Sequence, residues 1–218
     1  RSAMELHGHA LVLDSHCDTT QRMRDPAWDF SGRHSDGHVD IPRLREGGVA
    51  GVFFAVFALP NPERGVSVHA AREQVDAIHA TVDRHADALA LCRTNDEVRA
   101  AKREGRIAAL IAIEGGHLIE NSLDVLREFH ARGAVYMTLT HAAHNDWADS
   151  SGVHAELPPR HGGLTDFGRE VIREMNALGM MVDVSHVSDD TVRDVLAVTR
   201  APIIASHSSC RAVSPHRR

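Results

Sequence analysis

The chain has 218 residues, 43% of them apolar, with 24 Lys and Arg against 30 Asp and Glu, a net charge of −6. That length suits one domain and buries roughly 70% of the unfolded surface, so folding needs neither a disulfide framework nor a structural metal. The acidic balance excludes the basic footprint of a nucleic-acid binder, and no apolar run reaches the ~20 residues of a membrane helix.

In chain order, six short apolar runs read as strands covered on both faces. They cover residues 10–14, followed by Ser15-His16-Cys17-Asp18; 49–57; 107–113, followed by Glu114-Gly115-Gly116; 134–140, followed by His141; 180–184, followed by Ser185-His186; and 202–205, followed by Ser206-His207. A long helix is expected from about Ser67 into the His85 region. Thr94 with Glu97 forms a capping box for the next helix, which Gly105 closes. Asn121-Ser122 caps a helix carrying Leu123, Leu126 and Phe129 and ending at Gly133. Thr165 caps one whose Phe167, Val171, Ile172, Met175 and Leu178 share a face, with Gly179 just beyond. Ser188 caps a last one bearing Val192, Val195 and Leu196. Segments 32–39 and 146–163 read as loops, the second as a lid over a site.

Strand–helix alternation implies parallel βα units. An open doubly wound sheet also fits that pattern. Five of the six predicted strands, however, end in a polar, metal-competent residue, which is the arrangement of an α/β (β/α)8 TIM barrel, whereas an open sheet concentrates its chemistry at one switch point. A barrel needs eight units and ~250 residues. The sequence therefore reads as a single barrel domain over 1–218 with about six of eight βα units, truncated at its C-terminus.

Three cysteines without CxxC spacing point to a reduced, cytoplasmic setting. Seventeen histidines invite a search for metal ligands. His16 and Asp18, i and i+2 in an extended segment, point the same way and converge as two ligands of a divalent metal would; the bland alternative is a His–Asp hydrogen bond. Glu114 ends a buried strand, where a carboxylate is expensive unless paired or metal-bound; alone it would be read as a helix cap. His186 and His207 close two consecutive strands in the same Ser-His position, and His141 closes a third. Asp183 is either a partner orienting a ligand or a buried packing carboxylate.

This inventory exceeds one zinc ion and matches a two-metal site with a bridging carboxylate. The only lysine, Lys102, falls in a predicted surface helix, so Glu114 rather than a carbamylated lysine is the expected bridge. No GxSxG, P-loop, GxGxxG or HExxH motif is present. Cys17 points away from its neighbours and is read as packing. His7 and His9 form a further candidate pair, whereas His34, His38, His69, His79, His85 and His154 lack convergent context.

The motifs DSHCDT (14–19), HVDIPRLREGGVAGVFFAVF (38–57), IEGG (113–116), TLTHAAHNDWADS (138–150), GLTDFGREVIREMNALGMMVDVSHVS (163–188) and ASHSSCRAVSPHRR (205–218) together resemble the membrane (renal) dipeptidase family of zinc peptidases, bacterial members included. The resemblance implies a (β/α)8 barrel with two zinc ions that hydrolyses dipeptides, those with a C-terminal D-residue included, by metal-activated hydroxide. It assigns His16 and Asp18 to one zinc, Glu114 to the bridge, and His186 and His207 to the other zinc. It gives His141 the contact to the substrate or its tetrahedral intermediate, and Arg218 the substrate carboxylate. The family's proton-transferring aspartate lies after the last barrel strand, a segment beyond residue 218. The expected partner is a dipeptide, with no nucleic acid and no membrane span, and with homodimer formation left open. The rival readings are another binuclear metal-dependent amidohydrolase and a metal-binding but catalytically impaired fragment.

Overall fold

The computed structural model describes residues 2–152 and 157–216; His154 and Arg218 fall outside them. Strands and helices alternate: α1 (Ala3–His9), β1 (Leu13–Cys17), α2 (Thr20–Met23), α3 (Ile41–Glu46), β2 (Gly51–Val56), α4 (Val66–Arg84), β3 (Leu89–Leu91), α5 (Asn95–Arg103), β4 (Ile107–Glu114), a 3-10 turn (Gly116–Ile119), α6 (Leu123–Ala131), β5 (Ala134–Thr138), α7 (Asp166–Leu178), β6 (Met181–Asp183) and α8 (Asp189–Val198). Two compact units form, residues 1–56 with 72–111, and residues 57–71 with 112–218. Among the described residues no helix is long and apolar enough to cross a membrane.

In the first unit the strand order is β1-β2-β4, with β3 also paired to β4. β1 runs parallel to β2, Leu13 opposite Gly51 and Cys17 opposite Phe54. A Cβ on Gly51 would lie 2.9 Å from Leu13 Cδ2 and 3.1 Å from the Cβ of Ala108, so glycine permits the close approach of these strands. Every residue of β2 is buried, as its unbroken apolar run requires. Thr94 Oγ1 accepts the Glu97 N–H at 3.3 Å while Glu97 Oε2 accepts the Thr94 N–H at 2.9 Å, the reciprocal capping box the sequence announces. Lys102 donates from Nζ to the carbonyl oxygens of Gly8, at 3.3 Å, and Ala10, at the end of α1.

Asp40 caps α3 and is fully buried. Burial alone would push its carboxyl up. It is outweighed by hydrogen bonds from Arg43 Nε at 2.8 Å, the Arg43 N–H at 2.9 Å and the His34 N–H at 3.1 Å, which hold the pKa at about 2 against an ordinary 3.8. A depressed carboxyl pKa stabilises the fold above the ordinary value, and that stability is lost as pH falls through the folded value. Asp40→Asn is therefore expected to destabilise the chain by about 2 kcal/mol at pH 7. Urea denaturation checks this, and the gap between variant and parent should close as the pH approaches the folded value.

The second unit has the order β4-β5-β6. β5 and β6 are parallel, Tyr136 opposite Met181 and Thr138 opposite Asp183. Ser122, Thr165 and Ser188 cap α6, α7 and α8 by accepting the N–H of Val125, Gly168 and Thr191. Gly179 ends α7 in the left-handed region, φ 75°, where a Cβ is disfavoured. Val171, Ile172 and Met175 of α7 are buried together with Trp147, Tyr136, Phe129 and Leu126.

The structure corrects three expectations. β1 begins three residues later than the run 10–14 and carries Ser15, His16 and Cys17 within it. β3 was not anticipated, because three residues are too few to show a period. The run 202–205 forms only an isolated parallel bridge, Asp183 to Ile204; Pro202 lacks an N–H with which to extend a ladder.

Candidate metal centre

Within the second unit, three strand ends deliver chemistry to one place. β4 ends in Glu114, whose side chain is 5% exposed. The backbone turns at Gly115, φ 114°, and Gly116 follows in contact with Trp147: a Cβ there would collide with the indole and with the Leu139 carbonyl oxygen. Gly116→Ala is expected to lower stability by about 1–3 kcal/mol or more, read as a drop in thermal midpoint.

Glu114 Oε1 lies 3.1 Å from His186 Nε2, 3.4 Å from His207 Nε2 and 3.6 Å from His141 Nε2. The Nε2 atoms of His186 and His207 are themselves 2.8 Å apart. The rings of His141 and His186 have centroids 4.6 Å apart, those of His186 and His207 4.8 Å. Two ligand atoms each ~2.0–2.1 Å from one tetrahedral ion lie about 3.4 Å apart, so the 3.1–3.6 Å contacts of Glu114 Oε1 fit an ion, whereas the His186–His207 contact is of hydrogen-bond length. A set of imidazoles with one carboxylate suits zinc and its borderline neighbours. Glu114, His141 and His186 offer ligand atoms that all lie within 4.8 Å of one another.

The His207 proton has a defined place. Ser206 Oγ donates to Asp183 Oδ2 at 2.7 Å and lies 2.7 Å from His207 Nδ1. With the serine proton committed to Asp183, His207 donates from Nδ1 and keeps its Nε2 lone pair toward Glu114. Asp183 is fully buried and also accepts from Thr138 Oγ1 at 2.6 Å and from the N–H groups of Ser185 and Ser206 at 3.0 Å. It thus acts on His207 through Ser206.

In the first unit, His16 Nε2 and Asp18 Oδ1 are 3.3 Å apart, with the His16 side chain 9% exposed and that of Asp18 69%. Cys17 between them is buried, and burial pushes its thiol pKa up, against the hydrogen bond to Thr19.

Beside His141 in the second unit lies a cavity of about 450 Å³ that sequence reasoning did not foresee. Arg64, Arg160, Glu120 and Asp146 contribute to its walls. Glu120 is occupied, its two oxygens accepting the Gly65 N–H at 2.8 and 2.7 Å. Asp146 accepts from Asn121 Nδ2 at 3.0 Å and Arg160 Nη2 at 3.2 Å, and these bonds hold its carboxyl below the ordinary range despite partial burial. The loop reading of 146–163 was the available signal for Arg160; nothing local marks Arg64.

These features define an α/β protein of parallel strands, with a carboxylate and three imidazoles gathered beyond its strand ends. The chain belongs to the membrane dipeptidase family, peptidase family M19, which matches it over residues 1–218. It is 43% identical over 192 residues to dipeptidase verJ of Clonostachys rogersoniana, covering 83% of this chain and 48% of that protein. The chain thus spans about half the length of this curated relative. Among solved structures it is similar to the probable dipeptidase PvdM from Pseudomonas aeruginosa, with a TM-score of 0.85 and 26% identity over 96% of this chain and 55% of that one. A metallo peptidase from Rhodobacter sphaeroides, solved with a phosphinate mimic of the dipeptide L-Ala-D-Ala, has a TM-score of 0.84 and 27% identity over 95% of this chain and 68% of that one.

Proposed function

We propose that this chain carries the metal centre of a zinc-dependent dipeptidase that hydrolyses dipeptides, those with a C-terminal D-residue included. The observation behind this is the set of three imidazole nitrogens at 3.1–3.6 Å from one buried carboxylate oxygen. Family membership and the L-Ala-D-Ala mimic bound by the Rhodobacter neighbour support the substrate class. The fold is read as one domain over 1–218, part of a (β/α)8 barrel.

In this reading Glu114, His186 and His207 would hold one zinc ion, and Glu114, His16 and Asp18 would hold a second. When bound, such a pair of ions polarises the scissile carbonyl and lowers the pKa of a water toward ~7. The chain's own groups do the rest. His141 donates to the oxygen that gains charge during attack. Arg218 pairs with the free C-terminal carboxylate and so restricts the substrate to dipeptide length. Asp183 and Ser206 hold the His207 proton at Nδ1.

The test is to load the chain with zinc, dialyse it, count metal by elemental analysis, and measure D-alanine release from L-Ala-D-Ala. Two ions per chain together with D-alanine release are expected. Less than one ion per chain would reject the metal centre. Bound zinc without hydrolysis of any dipeptide would reject the activity and leave a binding site.

A further inference from the structure

We propose that Ser150 is a positioning residue for this centre: its hydroxyl holds the main-chain carbonyls of His141 and His186 together and so sets where both imidazoles present Nε2. The proposal rests on reading Glu114 and His186 as metal-binding and His141 as the substrate contact beside them.

The two histidines come from different loops, one after β5 and one after β6. Between them runs an extended segment that bridges on both sides, Ala148 to Leu164 and Ser150 to Val187, both antiparallel. Ser150 is buried, 3% exposed. Its Oγ lies 2.6 Å from the carbonyl oxygen of His141 and 3.0 Å from that of His186, and it accepts the Gly152 N–H at 3.1 Å. One hydroxyl proton is thus shared between the carbonyls of two residues that both face Glu114.

His186 needs such restraint. Its φ is 67°, in the left-handed region that a residue with a Cβ rarely adopts and that persists only when its surroundings over-determine it. Its carbonyl oxygen accepts from Thr140 Oγ1 at 3.0 Å and from the Ser151 N–H at 2.8 Å as well as from Ser150. Thr140 thus restrains one of the two histidines and Ser150 both. Liganding groups must be held within about 0.5 Å of a productive geometry, which makes a shared main-chain anchor consequential.

The test uses cobalt(II) in place of zinc, because its d–d bands report ligand geometry without turnover. Ser150→Ala is expected to weaken cobalt binding about 10–100-fold and to shift the bands. Ser150→Thr, which keeps the hydroxyl, should restore the bands. Thr140→Val should give a smaller shift in the same direction. Thr81→Val is the control: Thr81 Oγ1 also donates to a carbonyl, Ala77 O at 2.8 Å, within α4, and its loss should leave cobalt binding unchanged. The thermal midpoint of the metal-free chain monitors folding. A folded Ser150→Ala chain with parental bands, and affinity within about twofold of the parent, overturns the role of Ser150. If that variant does not fold, Ser150→Cys, which keeps the side-chain shape but only a weak donor, takes its place, and parental bands and affinity in it overturn the role. A parent chain that takes up no cobalt overturns the metal reading and this proposal with it.

Discussion

Glu114→Gln is expected to leave the chain folded but unable to retain its metal. Glutamine keeps the volume and one carbonyl oxygen, so packing against the neighbouring strands survives. What is lost is the negative charge that three Nε2 atoms approach at 3.1–3.6 Å. Removing a group that merely supports a ligand lowers metal affinity about 10–100-fold, and removing the shared ligand itself should exceed that. Stability of the metal-free chain should hold or rise, because the buried carboxylate, with its side chain 5% exposed, carries a desolvation penalty that glutamine does not. Elemental analysis after dialysis, beside thermal midpoints, checks both halves. Two tightly held zinc ions per chain in the variant would remove the bridge from the proposal.

Asp183→Asn has the second largest expected effect. All four groups around the carboxylate are donors: the hydroxyls of Thr138 and Ser206 at 2.6 and 2.7 Å, and two main-chain N–H groups at 3.0 Å. An amide must turn its own NH₂ toward part of that set. Each donor left unsatisfied in this buried position costs about 1–3 kcal/mol. The proton on Ser206 also loses its anionic acceptor, so the His207 tautomer is no longer fixed, and metal affinity should fall about 10–100-fold. Urea denaturation of the metal-free chain measures the first effect and competition with a chelator the second. A variant with parental values in both would show that the serine–aspartate pair does not control His207.

Much of the helical framework was legible because capping is local chemistry. Thr94 with Glu97, and Ser122, Thr165 and Ser188, each stand three residues from the group they bond, so sequence spacing alone exposes them. The strand ends were legible for a related reason: Glu114, His141 and His186 follow buried apolar runs and His207 follows the half-exposed apolar run 202–205, and these four side chains meet. The short helices α1, α2 and α3 lack a long enough apolar period to be announced, although Asp40 and Pro42 mark the start of α3 in retrospect. Arg64 and Ser150 are the harder omissions. Nothing in the sequence around Arg64 says that it walls the same cavity as His141, and a serine hydroxyl bonded to two carbonyls distant along the chain leaves no periodic trace. Pairwise meetings of this kind are fixed by the fold, whereas caps are fixed by neighbours.

Lys102 has a practical corollary. Because it is the sole lysine among the 24 basic side chains, an amine-directed dye attached under mild alkaline conditions has a single side-chain target. Acylation would remove the ammonium that binds the Gly8 and Ala10 oxygens. Its reaction rate would therefore count how often the first helix lets go of α5, a clock for fraying at that end of the molecule.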